Sequence, residues 1–111
     1  MRLSLVVLRS LDPPSAAAFY QRVGMKVAQE QHGDGPIHFS ISLADGVVEI
    51  YPTKTPSKIT FGLFVDDVAL FRAAWLVAGG KIGKFDDALL DPDGNVLIAS
   101  KLPNKTFGKT C

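Results

Sequence analysis

Cysteine is nearly absent: the one residue of its type, Cys111, stands last in a chain of 111. A single thiol excludes an intrachain disulfide and any zinc site built on cysteines. Nor is it a prenylation box, which needs three residues after the cysteine. Long apolar runs are missing as well. The run Leu3-Ser4-Leu5-Val6-Val7-Leu8 is too short for a signal-peptide core or a membrane span, and Arg9 ends it. Charge of one sign is also lacking, with 12 Lys and Arg against 11 Asp and Glu, a net +1. Such a balance gives no basic field to draw nucleic acid. The end of the chain, where Lys101, Lys105 and Lys109 have no acidic neighbour, reads as a solvated tail. These deficits point to a cytoplasmic protein whose partners are neither membrane nor nucleic acid.

What is present is enough for one folded domain over residues 1–111. Hydrophobic residues make up 47% and charged residues 21%, close to the globular average. The run 3–8 reads as a strand buried on both faces. Asp12-Pro13-Pro14-Ser15 then reads as a helix start, with Asp12 as cap and proline in the first turn. Ala16, Phe19, Tyr20 and Val23 make the apolar stripe, and Gly24 the stop. A short strand over 25–30 and a Gly-Pro loop over 31–36 follow, His32 being an exposed loop residue. Residues 37–43 alternate as a strand. Asp45-Gly46 signals a two-residue hairpin turn, with a return strand over 47–51.

The order then repeats at an offset of about 54 residues. There is a strand over 58–65, then a helix capped at Asp66 or Asp67 with Val68, Phe71, Trp75 and Ala78 on its core stripe. Gly79-Gly80 stops that helix. Short strands over 81–84 and 87–90, an Asp91-Pro92-Asp93-Gly94 turn and a last strand over 95–100 complete the half. The pattern predicts an α+β fold of two βαβββ modules, 1–54 and 55–111. A ferredoxin-like sandwich, with one strand fewer per half, is the competing reading.

The ordered set Leu11-Asp12, Ser15, Phe19-Tyr20 and Gly24-Met25, then Val48-Glu49-Ile50-Tyr51-Pro52, resembles the vicinal oxygen chelate superfamily. Val65-Asp66-Asp67-Val68, Ala78-Gly79-Gly80-Lys81-Ile82 and Asp91-Pro92-Asp93-Gly94-Asn95 extend the match. That superfamily includes glyoxalase I, bleomycin-resistance proteins and extradiol dioxygenases. The resemblance implies two modules whose mixed sheets curl into a half-open cup, often paired as a homodimer. In metal-dependent members four residues hold a divalent ion, and the matching positions here are Leu5, Glu49, Thr60 and Ile98. Only Glu49 is a strong ligand, whereas a transition-metal site needs about three or more from His, Cys, Asp or Glu. The expectation is a protein with no metal and no other cofactor, which speaks against metal-dependent glyoxalase or dioxygenase activity.

The hairpin independently fixes a polar face. With Asp45-Gly46 as turn residues, Ser42 is expected opposite Glu49, Ser40 opposite Tyr51 and His38 opposite Thr53. Phe39, Ile41, Leu43, Val48 and Ile50 then belong to the helix-covered face. Leu5, Val7 and Arg9, with Thr60, Gly62, Phe64, Val96, Ile98 and Ser100, complete an amphipathic cup of the kind that takes small molecules. The candidate ligand-binding residues are Arg9, His38, Ser40, Ser42, Glu49, Tyr51, Thr60 and Phe64. At the position of Arg9 the resemblance to glyoxalase I implies a hold on a substrate carboxylate. The leading function is metal-free binding of a small organic molecule. Two others compete: a lyase or isomerase with Glu49 as catalytic base, aided by His38 or Arg9, and a non-enzymatic dimeric interaction domain.

Overall fold

A computed structural model describes residues 1–55, 58–85 and 88–102. Pro56, Asp87, Lys105, Lys109 and Cys111, on which some of the expectations above fall, lie outside these residues. The elements run β1 (Leu5–Ser10), α1 (Pro13–Val23), β2 (Val27–Glu30), β3 (His38–Ser42) and β4 (Val47–Pro52). Then come β5 (Thr60–Val65), α2 (Val68–Val77), β6 (Lys81–Ile82), β7 (Ala88–Leu90) and β8 (Val96–Lys101). This is the expected βαβββ order, twice. Each half forms its own four-stranded sheet, ordered β1-β4-β3-β2 and β5-β8-β7-β6. In both, the first and last strands of the module pair in parallel and the remaining neighbours antiparallel. Among the described residues no hydrogen-bonded ladder joins the two sheets, and they are not closed into one.

The helices begin and end where side-chain chemistry sets them. Asp12 accepts the Ser15 N–H and the Ser15 hydroxyl, and Asp67 accepts the Leu70 N–H. Each satisfies a donor that the first helical turn leaves free. Gly24 and Gly79 adopt φ of 114° and 106°, a region costly for any residue with a Cβ.

Both helices lie on one side of the sheets and pack together. Phe19, Tyr20 and Trp75 meet edge to face at centroid separations of 4.7–5.7 Å. Leu8, Ile41, Val48 and Ile50 are buried beneath α1, Leu89 and Leu97 in the second sheet. A polar clip ties the halves. The Tyr20 hydroxyl donates to Asp91 at 2.6 Å, and Asp91 also accepts the Asn95 side chain at 2.9 Å. Asp91 further accepts the backbone N–H groups of Asp93 and Asn95, while Asn95 accepts the Ile59 N–H. Asp91 and Asn95, which bracket the turn, are therefore a buried joint between modules, while Pro92 at its tip stays exposed.

Two expectations change. The first strand is Leu5–Ser10, buried on one face only, because it is the edge of its sheet and helices cover a single side. The hairpin register moves by two residues: Ser42 pairs with Val47 and Ser40, not Ser42, with Glu49. A two-residue type I′ turn needs positive φ at both central residues, and neither Asp45 nor Gly46 has it. Residues 43–46 form a wider loop in which the Leu43 N–H donates to the Gly46 carbonyl. A shift of two preserves which face each side chain takes. The polar face survives; its partners change.

Candidate functional site

On the side away from the helices, alternation along β1 aims Leu5, Val7 and Arg9 outward, and along β4 Val47, Glu49 and Tyr51. Parallel pairing sets Val7 beside Glu49 and Arg9 beside Tyr51. From β3, His38 and Ser40 face the same way. The His38 ring stacks on Tyr51 at 4.2 Å with 9° between planes. The Arg9 guanidinium lies 5.6 Å from the centre of Tyr51, within cation–π range. The result is a three-tier stack with a cation on one end.

His38 is only 1% exposed although it sits on the open face. It is roofed by the loop that follows β2, where the Gly35 N–H bonds the His32 carbonyl and Gln31 bonds Gly35. This fold-back places the His32 ring 5.0 Å from that of His38. The Nδ1 of His38 lies 3.3 Å from the Pro36 carbonyl. A carbonyl only accepts, so Nδ1 carries the proton of that bond. Its Nε2 lies 3.3 Å from Glu49 Oε2, 3.4 Å from Glu30 Oε1 and 3.4 Å from the Tyr51 hydroxyl.

Of the residues expected at the site, the structure gathers Arg9, His38, Glu49 and Tyr51, with the buried Ser40 beside Glu49. Ser42 is exposed at the hairpin end of β3. Thr60 and Phe64 stand on β5 in the second sheet, outside the hydrogen bonds of the cluster. Phe64, 63% exposed, instead lines a cleft of about 490 Å³ between the modules, together with Leu5, Val47, Gly62 and Phe61. The cleft and the cluster have different linings, yet Leu5 and Val47 begin the same outward rows that carry Arg9 and Tyr51. The cleft also takes in Met25, Val48 and Phe71 from the helix side, so it is the outward rows of β1 and β4 that lead from its rim to the stack.

Glu30 and His32 were not anticipated. The exposed side chain of His32 conceals a ring packed on His38, and Glu30 pairs with His38 across β2 and β3. The available signal was the Glu30-x-His32 spacing before a Gly-Asp-Gly-Pro loop, which returns the chain onto that strand.

Solved structures share this architecture. A bleomycin resistance determinant encoded on the transposon Tn5 superposes with a TM-score of 0.69 at 22% identity, over 94% of this chain and 100% of that one. The YycE protein of Bacillus subtilis gives 0.72 at 13%, over 93% and 91%. A glyoxalase/bleomycin resistance protein from Albidiferax ferrireducens gives 0.69 at 19%, over 87% and 96%. This is the glyoxalase/bleomycin-resistance fold. No family model matches the chain, and no curated protein does.

Metal-dependent proteins of the glyoxalase/bleomycin-resistance fold invite a fit test at the positions matching their ligands. Leu5 and Ile98 present hydrocarbon there, and Thr60 a neutral hydroxyl on an exposed strand end. Only Glu49 offers a charged donor. The residues do not fit an ion at that place.

Proposed function

We propose that the chain is a cytoplasmic homodimer that binds a small, partly apolar organic anion on the open face of its first sheet. It does so without an ion at the fold's own metal position. The observation that carries this is the pair of outward rows, Leu5-Val7-Arg9 and Val47-Glu49-Tyr51, that run from the rim of the apolar cleft to the charged stack. Val47 to Tyr51 spans about 13 Å at strand spacing, the length of a two- or three-ring molecule. Leu5, Val47 and Phe64 offer an apolar wall for its body. Arg9 on Tyr51 offers a cation and a ring face for its anionic end. Sites of this size and character, mostly apolar with a few placed polar groups, are typical for small ligands. The Tn5 bleomycin resistance determinant on the same fold supports the reading by analogy.

A thermal-shift screen of aromatic carboxylates, thiol conjugates and bleomycin tests it, since a ligand of the folded state raises its melting temperature. The expected result is a concentration-dependent rise with an anionic aromatic that Arg9→Ala and Phe64→Ala each diminish. Absence of any rise, or a rise indifferent to both changes, overturns the reading.

A second reading is favoured by Glu49 alone: its carboxylate is 18% exposed and sits beside His38, the placement of a general base in a lyase or isomerase. Glu49→Gln keeps shape and hydrogen bonding but removes the base. Under this reading it abolishes turnover while leaving the melting temperature nearly unchanged.

A further inference from the structure

We infer that Glu30, His32, His38 and Glu49 form a divalent transition-metal site inside the first module. It is a different donor set from the fold's own four positions, sharing only Glu49. One ligand atom from each of the four residues lies within 4.8 Å of every other. The inference is independent of the organic-ligand reading.

Three observations carry it. First, the Nδ1 proton of His38 is committed to the Pro36 carbonyl, which in the neutral ring leaves a lone pair on Nε2. That lone pair converges with the carboxylates of Glu30 and Glu49. Acceptors gathered in this way call for a cation between them, either a second proton on Nε2 or a metal ion. Among the described residues, no lysine or arginine pairs with either carboxylate. A backbone carbonyl holding the far nitrogen of a histidine is also how metal-binding histidines are oriented.

Second, the spacing suits an ion better than a proton. An N–H bonded to a carboxylate closes to about 2.7–2.9 Å and points at one oxygen. Here two carboxylate oxygens stand off at 3.3 and 3.4 Å. Ligands about 2.0–2.1 Å from a tetrahedral zinc are about 3.3–3.4 Å apart along its edges, the separation His38 keeps from both carboxylates, while the four donors as a set lie within 4.8 Å and would draw in around the ion. The Tyr51 hydroxyl, though 3.4 Å from Nε2, belongs to a ring stacked parallel to the imidazole, which places it above the plane and off the lone-pair axis.

Third, the donors come from a rigid frame. Glu30 and His38 are cross-strand partners, and Glu49 follows on the next strand opposite Ser40. His32 completes the set from the loop that roofs them. Two imidazoles and two carboxylates form a borderline donor set suited to zinc or cobalt rather than calcium or magnesium.

The test titrates untagged, chelator-treated protein with zinc chloride by calorimetry, and with cobalt chloride by visible absorption. A Cys111→Ser background removes the one thiol. The expected result is one equivalent bound, with the intense visible bands of tetrahedral cobalt. His32→Ala and Glu30→Gln, both at side chains open to solvent, should each weaken zinc by about 100-fold or more, beyond the roughly 10–100-fold typical of outer-shell losses. Circular dichroism verifies that both variants remain folded. Failure of zinc to bind overturns the inference. So does stoichiometric binding that neither variant weakens.

Discussion

Tyr20 shows how much a single side chain does in this molecule. Its ring belongs to the aromatic triad that packs α1 on α2, and its hydroxyl donates to Asp91 in the other module. Burial, then the Asp91 charge, push its ionisation well above the ordinary tyrosine range. The folded state thus holds the neutral phenol. That contribution is complete below the unfolded tyrosine value of about 10, and is lost as pH rises above it, where the unfolded chain releases a proton that the folded chain keeps. Tyr20→Phe should cost about 1–3 kcal/mol at neutral pH, because a buried carboxylate loses a donor. It should also flatten the alkaline decline of stability. Urea unfolding at pH 8 and above pH 10 measures both, and an equally steep decline in the variant would contradict the assignment. The Asp-Pro-Asp-Gly run read plainly as a turn from sequence. The role of Asp91 in a buried joint did not, since the partner is 71 residues away and nothing local announces it.

At the scale of elements, the order of strands and helices was legible because periodicity and caps act locally: Asp12, Gly24, Asp67 and Gly79 stand at the helix boundaries they were expected to mark. Pairing register was not. Asp45-Gly46 carries the signature of a tight hairpin, yet the glycine answers to another demand. A Cβ on Gly46 would lie 2.7 Å from the Ser4 carbonyl, the group that accepts the Val47 N–H. Close approach of Ser4, just before β1, not turn geometry, selects glycine there. Gly46→Ala should therefore loosen the β1–β4 parallel pair and cost about 1–3 kcal/mol, the usual range for overpacking. Hydrogen exchange should show faster exchange at Val47 and along β1, while α1 and α2 keep their protection; unchanged exchange at Val47 would count against the close contact. A helix cap offers a contrast of similar size with a different footprint. Asp67→Ala should cost about 0.5–2 kcal/mol and raise exchange at Leu70 instead. The candidate site was half visible for the same reason: alternation places His38, Glu49 and Tyr51 on one face in the expected register and in the observed one, which differ by an even number of residues, whereas Glu30 and His32 are brought in by the course of the loop after β2, which no period encodes.

On the scale of the whole molecule, two sheets lie open with helices on one side only. Leu5 is 44% exposed and Phe64 more so, and among the described residues β1 and β5 are edges of their sheets. Apolar faces and free edges of this kind are covered by association. Light scattering should give twice the 11.9 kDa chain mass at micromolar concentration; a monomer throughout would contradict the pairing. The central claim, that the open face of the first sheet is a small-molecule site, is tested most directly by amide chemical-shift mapping. The strongest aromatic carboxylate of the thermal-shift screen is titrated into labelled protein. Saturable shifts are expected along Leu5–Ser10 and Val47–Pro52 and at Phe64, with α1 and α2 little changed. Shifts confined to the helices, or none at saturating carboxylate, would contradict that claim.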